Sequence, residues 1–411
     1  MTTEELLTRG VSNVTPRSLA EEKLKTGQPI RIYLGIDPTG TRLHLGHAVV
    51  LRKLRAFQDA GHTVILVIGS FTAMVGDPSG RDLQREPLTK KDVMKNFESY
   101  KEQAGKVLDV SKLEVRYNHE WLEALNLQDI LRLAGNFSVQ QMLERDMFQK
   151  RMNDASPIGV NEFMYPLMVG YDSVTLDVDA ELGGNDQYFN MLCGRTLQKA
   201  YGKRDKFVLT TKLIEGTDGR KMSKTYDNCI WLEDSAEEMY GKILSIRDNL
   251  IVTYMECCTD IPMDDVRAAD ESLNSALLEA ESGEISAADI NPKDLKMRLA
   301  REIVTIYHGA DAAAKAEANF QNIFKNKGIP DDILSVTAAK GTVLIDVLAE
   351  HKLVASKGEA RRLVEQQGIH IGDQPATDIQ VKIGDGLTPE EWAAGVVVRV
   401  GKRRFVKIIA A

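Results

Sequence analysis

The residues best suited to chemistry in this chain stand together near its start, at His44-Leu45-Gly46-His47. Two imidazoles flank a glycine there, and the flanking residues say what must hold them. Residues 31–37 are a short run rich in β-branched and aromatic types, which reads as a buried strand. Pro38-Thr39-Gly40 turns the chain. Val50, Leu54 and Phe57 then fall at helical spacing, and Gly61 stands where a C-terminal cap would end the helix. Residues 63–69 read as a second buried strand. A strand, turn, helix and strand in that order imply parallel pairing with a right-handed crossover. His44 and His47 therefore sit at the mouth of a helix, where unpaired N–H groups and the helix dipole favour an anion. The combination predicts a phosphate site. With 7 His and 31 Gly in 411 residues, H-x-G-H arises by chance roughly 0.01 times in such a chain.

Three other stretches can serve that site. Gly76-Asp77-Pro78-Ser79-Gly80 is a glycine-rich loop whose polar residues suit a ligand pocket. Tyr165, Tyr171 and Asp172 lead into an apolar, strand-like run at 173–178. A Gly183-Gly184 turn with Asn185, Asp186 and Gln187 follows it. Polar residues after a strand are where an open α/β sheet binds ligands. Thr217-Asp218-Gly219-Arg220-Lys221-Met222-Ser223-Lys224-Thr225 joins glycine to clustered cations, a mobile loop able to close over phosphates; solvated surface produces such loops about as often.

The remaining elements frame these. Residues 1–30 read as a helical arm, 90–110 as a polar amphipathic helix and 113–117 as a strand. Residues 121–152 read as helical and carry surplus apolar side chains, among them Met142, Leu143, Met147 and Phe148. They fit a subunit interface or an ordinary buried insertion equally well. After Thr225 the strand signals fade. Asn291-Pro292 opens a helix with Leu295, Leu299, Ile303 and Ile306 as its stripe, and an Ala-rich helix runs from Asp311 to Gly328. Residues 328–341 read as a linker. The tail, 342–411, reads as a small separate module: a helix at Leu344, Val347 and Leu348, and a second opened by a Ser356–Glu359 capping box. Short strands follow at 368–371, 396–400 and 405–409.

Composition bounds the reading further. A chain 43% hydrophobic and 27% charged is an ordinary globular one. No run approaches the ~18 apolar residues of a membrane helix. Glu4 and Glu5 ahead of Leu6-Leu7 do not fit a signal peptide. The four cysteines lack metal-site spacing, as expected of reduced residues in a cytoplasmic protein. A net charge of -8 argues against nucleic-acid binding by the whole surface. The tail differs, with 10 Lys and Arg against 9 Asp and Glu. Lys357, Arg361, Arg362, Lys402, Arg403, Arg404 and Lys407 cluster in its second helix start and last strand, an RNA-binding footprint.

Taken together these residues spell a family. His44-Leu45-Gly46-His47 resembles the H-I-G-H motif of class I aminoacyl-tRNA synthetases, and Lys221-Met222-Ser223-Lys224-Thr225 is similar to their K-M-S-K-S loop. Tyr33-Leu34-Gly35-Ile36-Asp37-Pro38-Thr39 resembles the tyrosyl-tRNA synthetase version, as do Gly76 to Gly80, Tyr171-Asp172 and Gly184-Asn185-Asp186-Gln187. The tail resembles the alpha-L RNA-binding motif of ribosomal protein S-four, which bacterial members carry. The resemblance covers nearly the whole chain. It implies an α/β fold: a Rossmann-like parallel-sheet catalytic domain over 1–225, with a dimer-interface insertion around 118–160. A helical anticodon-binding domain over 226–327, the linker and an α+β RNA-binding module over 342–411 complete it.

It also implies a reaction. The tyrosine carboxylate attacks the α-phosphate of ATP, pyrophosphate leaves, and the tyrosyl group passes to tRNA(Tyr), catalysis being positioning plus charge stabilisation. By resemblance, His44, His47 and Thr39 meet the phosphates, and Lys221 and Lys224 clamp the pyrophosphate. Gly46 leaves room for adenine, Gly184 and Asp186 reach the ribose, and Gly35, Met222, Ser223 and Thr225 complete the ATP site. Thr72, Asp77 and Tyr165 line the amino-acid site with Asp37, Gln187 lies near the carboxylate, and Tyr33 and Asp172 bond the phenol hydroxyl. Val169 stands where the family usually has a glutamine touching the α-ammonium. Mg²⁺ accompanies ATP, held by phosphate oxygens and water, and no protein-bound metal is expected. The expected partners are L-tyrosine, ATP, tRNA(Tyr) and a second copy of the chain, with no membrane. Tryptophanyl-tRNA synthetases share both signatures but usually lack the basic tail. Small nucleotidyltransferases with H-x-G-H are far shorter. Intact His44, His47, Lys221 and Lys224 argue against a non-catalytic RNA-binding paralogue.

Overall fold

The computed structural model describes residues 1–79, 88–282, 291–325, 334–354, 356–372, 374–401 and 404–410. Gly80, Gly328, Lys402 and Arg403 therefore lie outside the described residues. The chain divides into two compact units, Met1–Ala314 and Lys315–Ala411.

The first unit is built on six strands: β1 (Val11–Thr15), β2 (Arg31–Ile36), β3 (Thr63–Ile68), β4 (Leu113–Tyr117), β5 (Ala180–Gly184) and β6 (Phe207–Thr211). Their order is β1-β6-β5-β2-β3-β4. From β6 to β4 every pairing is parallel, while β1 runs antiparallel along β6. The β2-helix-β3 unit is as expected, with helix Leu45–Asp59 between the strands. Its buried Leu51, Leu54 and Phe57 recur at helical spacing.

Several expectations need correction. The first thirty residues are not one helical arm: Thr3–Thr8 and Arg17–Lys25 are helices, and β1 between them covers the open edge of β6. The run at 173–178 is not a strand. Helix Val160–Leu176 passes through it and ends at Asp177, whose φ is 46°. Val174 and Thr175 favour strands on their own, but helix burial of Tyr165, Met168, Asp172 and Leu176 decides the conformation. Gly183-Gly184 is no turn; it is the end of β5, and a 3₁₀ turn at Asn185–Gln187 follows. A Cβ on Gly183 would lie 2.9 Å from Met191 Sδ, so glycine there lets the Met191 side chain pack against the strand. The polar helix stops at Ala104. The 121–152 region is four short helices, His119–Leu122, Leu127–Ala134, Val139–Leu143 and Asp146–Asn153. Met142 and Phe148 are buried within it, so they are not the surplus; Leu127, Leu131, Val139, Met152 and Val160 are the exposed apolar residues. Among the described residues, the regular elements from 236 to 325 are all helices, including Pro292–His308 capped by Asn291.

The second unit holds β7 (Leu334–Ala338), β8 (Ile369–Ile371), β9 (Gln374–Pro375), β10 (Val396–Val400) and β11 (Arg404–Ala410), in the order β7-β11-β10-β8-β9. β7 occupies part of the stretch expected to be linker. It pairs parallel with β11, with Val336 and Ala338 facing the core and Ser335 and Thr337 facing out. Helices Leu344–Glu350, Lys357–Glu365 and Pro389–Ala394 cover the sheet, and Leu344, Val347, Leu348, Val364, Val398 and Ile408 share its core.

Candidate active site

Strand order reverses between β2 and β5: β3 and β4 lie to one side of β2, β6 and β1 to the other side of β5. Such a switch point opens a crevice at the carboxyl ends of the parallel strands. Asp37 and Thr39 follow β2, Thr72 and Asp77 follow β3, and Asp186 and Gln187 follow β5. Topology alone therefore brings these six together.

The outer part is a cleft of about 630 Å³ whose walls include Thr39, His44, His47, Asp186 and the loop from Lys221 to Thr225. It adjoins a cavity of about 320 Å³ that adds Gly35, Gly46, Gly184 and Gln187. The backbone N–H of His44 donates to His47 Nδ1 at 3.2 Å, which leaves the His47 proton on Nε2. The two imidazoles stack with centroids 3.9 Å apart. A Cβ on Gly46 would lie 3.0 Å from the His44 ring, so glycine permits this packing. Enclosure in the cleft, then the neighbouring His47 and Lys221, pushes the His44 pKa down to about 2. Enclosure pushes that of His47 down to about 4, with Lys221 adding to the fall and Asp186 opposing it. Both rings are neutral donors at pH 7.

Lys221 Nζ pairs with Asp186 Oδ2 at 3.0 Å. Its loop is fastened at the base by Asn228. That amide donates to Asp218 Oδ1 at 2.7 Å and to the carbonyls of Arg220 and Lys221, and it accepts from the Ser223 N–H at 2.8 Å. Met222 is buried, whereas Lys224 and Thr225 are exposed on the cleft.

The inner end is a chamber of about 40 Å³ walled by Asp37, Thr72, Asn118, Tyr165, Val169 and Asp172, among others. Asp37 accepts from Thr72 Oγ1 at 2.7 Å and from the Tyr165 hydroxyl at 2.9 Å. Asp77 accepts from Gln187 Nε2 at 2.8 Å and from the Ser79 N–H at 2.9 Å. Asp172 accepts from Trp121 Nε1 at 2.8 Å and from Asn118 Nδ2 at 3.3 Å. Burial holds its carboxyl well above the usual carboxylate range despite these donors. Tyr33 packs in the same buried cluster as Trp121 and Tyr165. It is wholly buried, is not among the chamber's wall residues, and its hydroxyl meets Ser173 Oγ at 2.9 Å. Val169 is on the wall and offers no acceptor.

In the second unit Lys357, Arg361 and Arg362 are exposed on one helix. Ser356 accepts from the Glu359 N–H at 3.2 Å and caps that helix, and Glu359 pairs with Arg404 at 3.2 Å. That contact joins β11 to the basic helix. Among the described residues no cluster of three His, Cys, Asp or Glu side chains could hold a metal ion. Nor is any described helix long and apolar enough to cross a membrane.

Known proteins resemble the chain along its whole length. The family "tRNA synthetases class I (W and Y)" matches residues 25–325, and the "Tyrosine--tRNA ligase SYY-like C-terminal domain" matches residues 321–408. A tyrosine–tRNA ligase of Thermotoga maritima is 44% identical over 99% of this chain and 98% of its own. One of Carboxydothermus hydrogenoformans is 42% identical over 98% and 97%. The chain belongs to the tyrosine–tRNA ligase family of class I tRNA synthetases. Family membership makes ATP a substrate. The fold agrees with solved tyrosyl-tRNA synthetases. A truncated mitochondrial enzyme of Aspergillus nidulans has a TM-score of 0.61 at 24% identity, covering 78% of this chain and 94% of that one. That of Archaeoglobus fulgidus complexed with L-tyrosine has 0.57 at 20%, covering 77% and 98%.

Sequence reading missed Asn118, Trp121 and Asn228, which orient site residues, and Glu181, which lines the chamber with Ser173 and Lys206 bonded behind it. Glu181 did leave a signal: it is a lone carboxylate inside an apolar run at 180–184.

Proposed function

We propose that this protein activates L-tyrosine with ATP to tyrosyl-adenylate and pyrophosphate, then transfers the tyrosyl group to the 3′ end of tRNA(Tyr). The observation that carries this reading is one continuous site with two chemistries. A cleft of neutral imidazole donors and lysines adjoins a narrow chamber ending on the buried carboxylate of Asp172. The chamber suits a flat side chain with a polar tip, and the cleft suits a triphosphate. Asp37, Asp77 and Tyr165 receive the α-ammonium, which aims the carboxylate at the α-phosphate. His47 Nε2–H and His44 donate to phosphate oxygens as charge builds on them, and Thr39 lies beside them. Lys221 and Lys224 hold the departing pyrophosphate, while Asp186, Gly184 and Gly46 frame ribose and adenine. Asp172 takes the phenol. Mg²⁺ enters with the nucleotide, on phosphate oxygens and water.

The basic helix of the second unit, with Arg404, binds tRNA, and residues 226–327 reach the anticodon. Two copies pair through the exposed Leu127, Leu131, Val139, Met152 and Val160, a patch of the kind that marks association. The four free, buried cysteines are in keeping with the cytoplasm. Tyrosine-dependent ATP–pyrophosphate exchange tests the reading. Exchange with tyrosine and none with tryptophan is the expected result; no exchange with tyrosine overturns it.

A further inference from the structure

Parallel pairing of β2 with β5 sets Tyr33 opposite Glu181, so both side chains leave the same face of the sheet. Glu181 reaches the wall of the amino-acid chamber that Asp172 also lines. Lys206 lies behind it, 0% exposed, and forms an ion pair with Glu181 that is almost wholly withdrawn from water. Lys206 also donates to Ser173 Oγ at 2.5 Å, and Ser173 in turn meets Tyr33 OH at 2.9 Å and donates to Glu181 at 3.3 Å. The opposing helix gives way to the pair. A Cβ on Gly194 would lie 2.6 Å from both Lys206 Nζ and Ser173 Oγ.

A buried ion pair is a poor device for stability alone. Removing two ions from water offsets their attraction, and apolar residues of like volume do as well. This pair stands at the closed end of the chamber, remote from phosphate chemistry. We infer that Glu181, held in place by its ion pair with Lys206, is a second reader of the substrate's phenol hydroxyl beside Asp172, with Lys206 as its positioning residue. The inference rests on tyrosine being the amino acid activated.

The hydrogen-bond inventory supports this role. A phenol hydroxyl has one proton to give and lone pairs with which to accept, so one carboxyl group can take its proton while a neighbouring group donates to its oxygen. Asp172 already takes an N–H on each oxygen, from Trp121 and Asn118. Glu181 takes Lys206 and Ser173 on Oε2 and a further hydrogen bond from Tyr33, which leaves one of its roughly four lone-pair sites for another donor. A site whose buried polar groups await a hydroxyl rejects the analogue that lacks it.

The test is ATP–pyrophosphate exchange with tyrosine and with phenylalanine, using the full-length wild type, Glu181→Gln and Lys206→Met. Glutamine keeps the shape and removes the charge. Loss of a hydrogen bond to a charged acceptor should lower kcat/KM for tyrosine by about 10–150-fold. The loss should appear in KM with kcat kept. Phenylalanine should be little affected, so selectivity falls by the same factor, and Lys206→Met should shift it the same way. If Lys206→Met does not fold, Glu181→Gln decides alone. Equal losses on both amino acids, as a structural role requires, overturn the inference, and so does unchanged selectivity. In either case a wild type that still exchanges with tyrosine leaves the functional reading standing. A wild type that does not removes both.

Discussion

Replacing His47 with alanine separates two jobs of one imidazole. Its Nδ1 accepts the backbone N–H of His44 at 3.2 Å, which caps the first turn of helix Leu45–Asp59. Its Nε2–H is free to meet a phosphate. Losing that contact should cost about 1 kcal/mol of stability, the usual net size of one hydrogen bond. Losing a donor aimed at developing charge should slow adenylate formation by about 100–1000-fold. Tyrosine binding should hardly change, because the carboxylates of Asp37 and Asp77 lie on other loops. Asparagine at the same place can accept from His44 and still donate, so it should recover part of both losses. Rapid-quench single-turnover adenylation gives the rate, equilibrium dialysis the tyrosine Kd, and thermal unfolding the cap. The pH dependence adds a check. With His44 and His47 pushed down to about 2 and about 4, neither gains a proton as pH falls from about 8 to 6. The wild-type rate should show no imidazole step there. An alanine variant within about threefold of the wild-type rate, or one whose tyrosine Kd rises in parallel, would refute the phosphate role.

Three further outcomes are expected. Removal of residues 326–411 should leave adenylate formation near normal and abolish most tRNA charging, and charging by the full chain should weaken as salt rises; full-rate charging by the truncated protein would contradict this. Sedimentation should show a dimer of a 45.7 kDa chain, and Leu131→Glu, at a site 64% exposed, should shift it to monomer; a variant that stays dimeric places the interface elsewhere. Lys53, buried against the carbonyls of Glu5 and Leu6, has its pKa pushed down to about 8. Between that value and its ordinary 10.5 the unfolded chain holds a proton that the folded one has lost, so this group makes stability rise with pH. Comparing Tm against pH for wild type and Lys53→Met should reveal a difference worth up to about 3 kcal/mol across that window; parallel curves would contradict it.

The parts legible in the sequence were those set by local rules. The His44–His47 unit needed only a buried strand, a turn and a helical stripe, and the structure has them in place. Caps at Asn291 and Ser356 were equally readable, because a cap is satisfied within three residues. Failures came where distant contacts outweighed local preference. β1 forms because β6 leaves an edge to cover, and nothing within residues 1–30 announces β6. β7 exists because β11 offers it a partner about seventy residues downstream. Helix Val160–Leu176 overrides a strand-like stretch for the sake of the face it buries. At the site, most residues that line the cleft and chamber were visible through motif spacing and resemblance. Those that orient them were not: Trp121, Asn118 and Lys206 acquire meaning only once the fold sets them against Asp172 and Glu181.

The pairing of Lys221 with Asp186 gives the nucleotide a rival. An ammonium already neutralised by a carboxylate at 3.0 Å gains little when it turns to an incoming phosphate, since one anion replaces another. The balance shifts only as pyrophosphate separates and its oxygens accumulate charge that a single carboxylate cannot match. Attraction withheld from the bound substrate and released late in the reaction raises turnover rather than affinity. Asp186, set free at the same moment, is available to the ribose hydroxyls. On the proposed reading of the site, the internal anion would act as a placeholder that Lys221 exchanges for pyrophosphate late in the reaction.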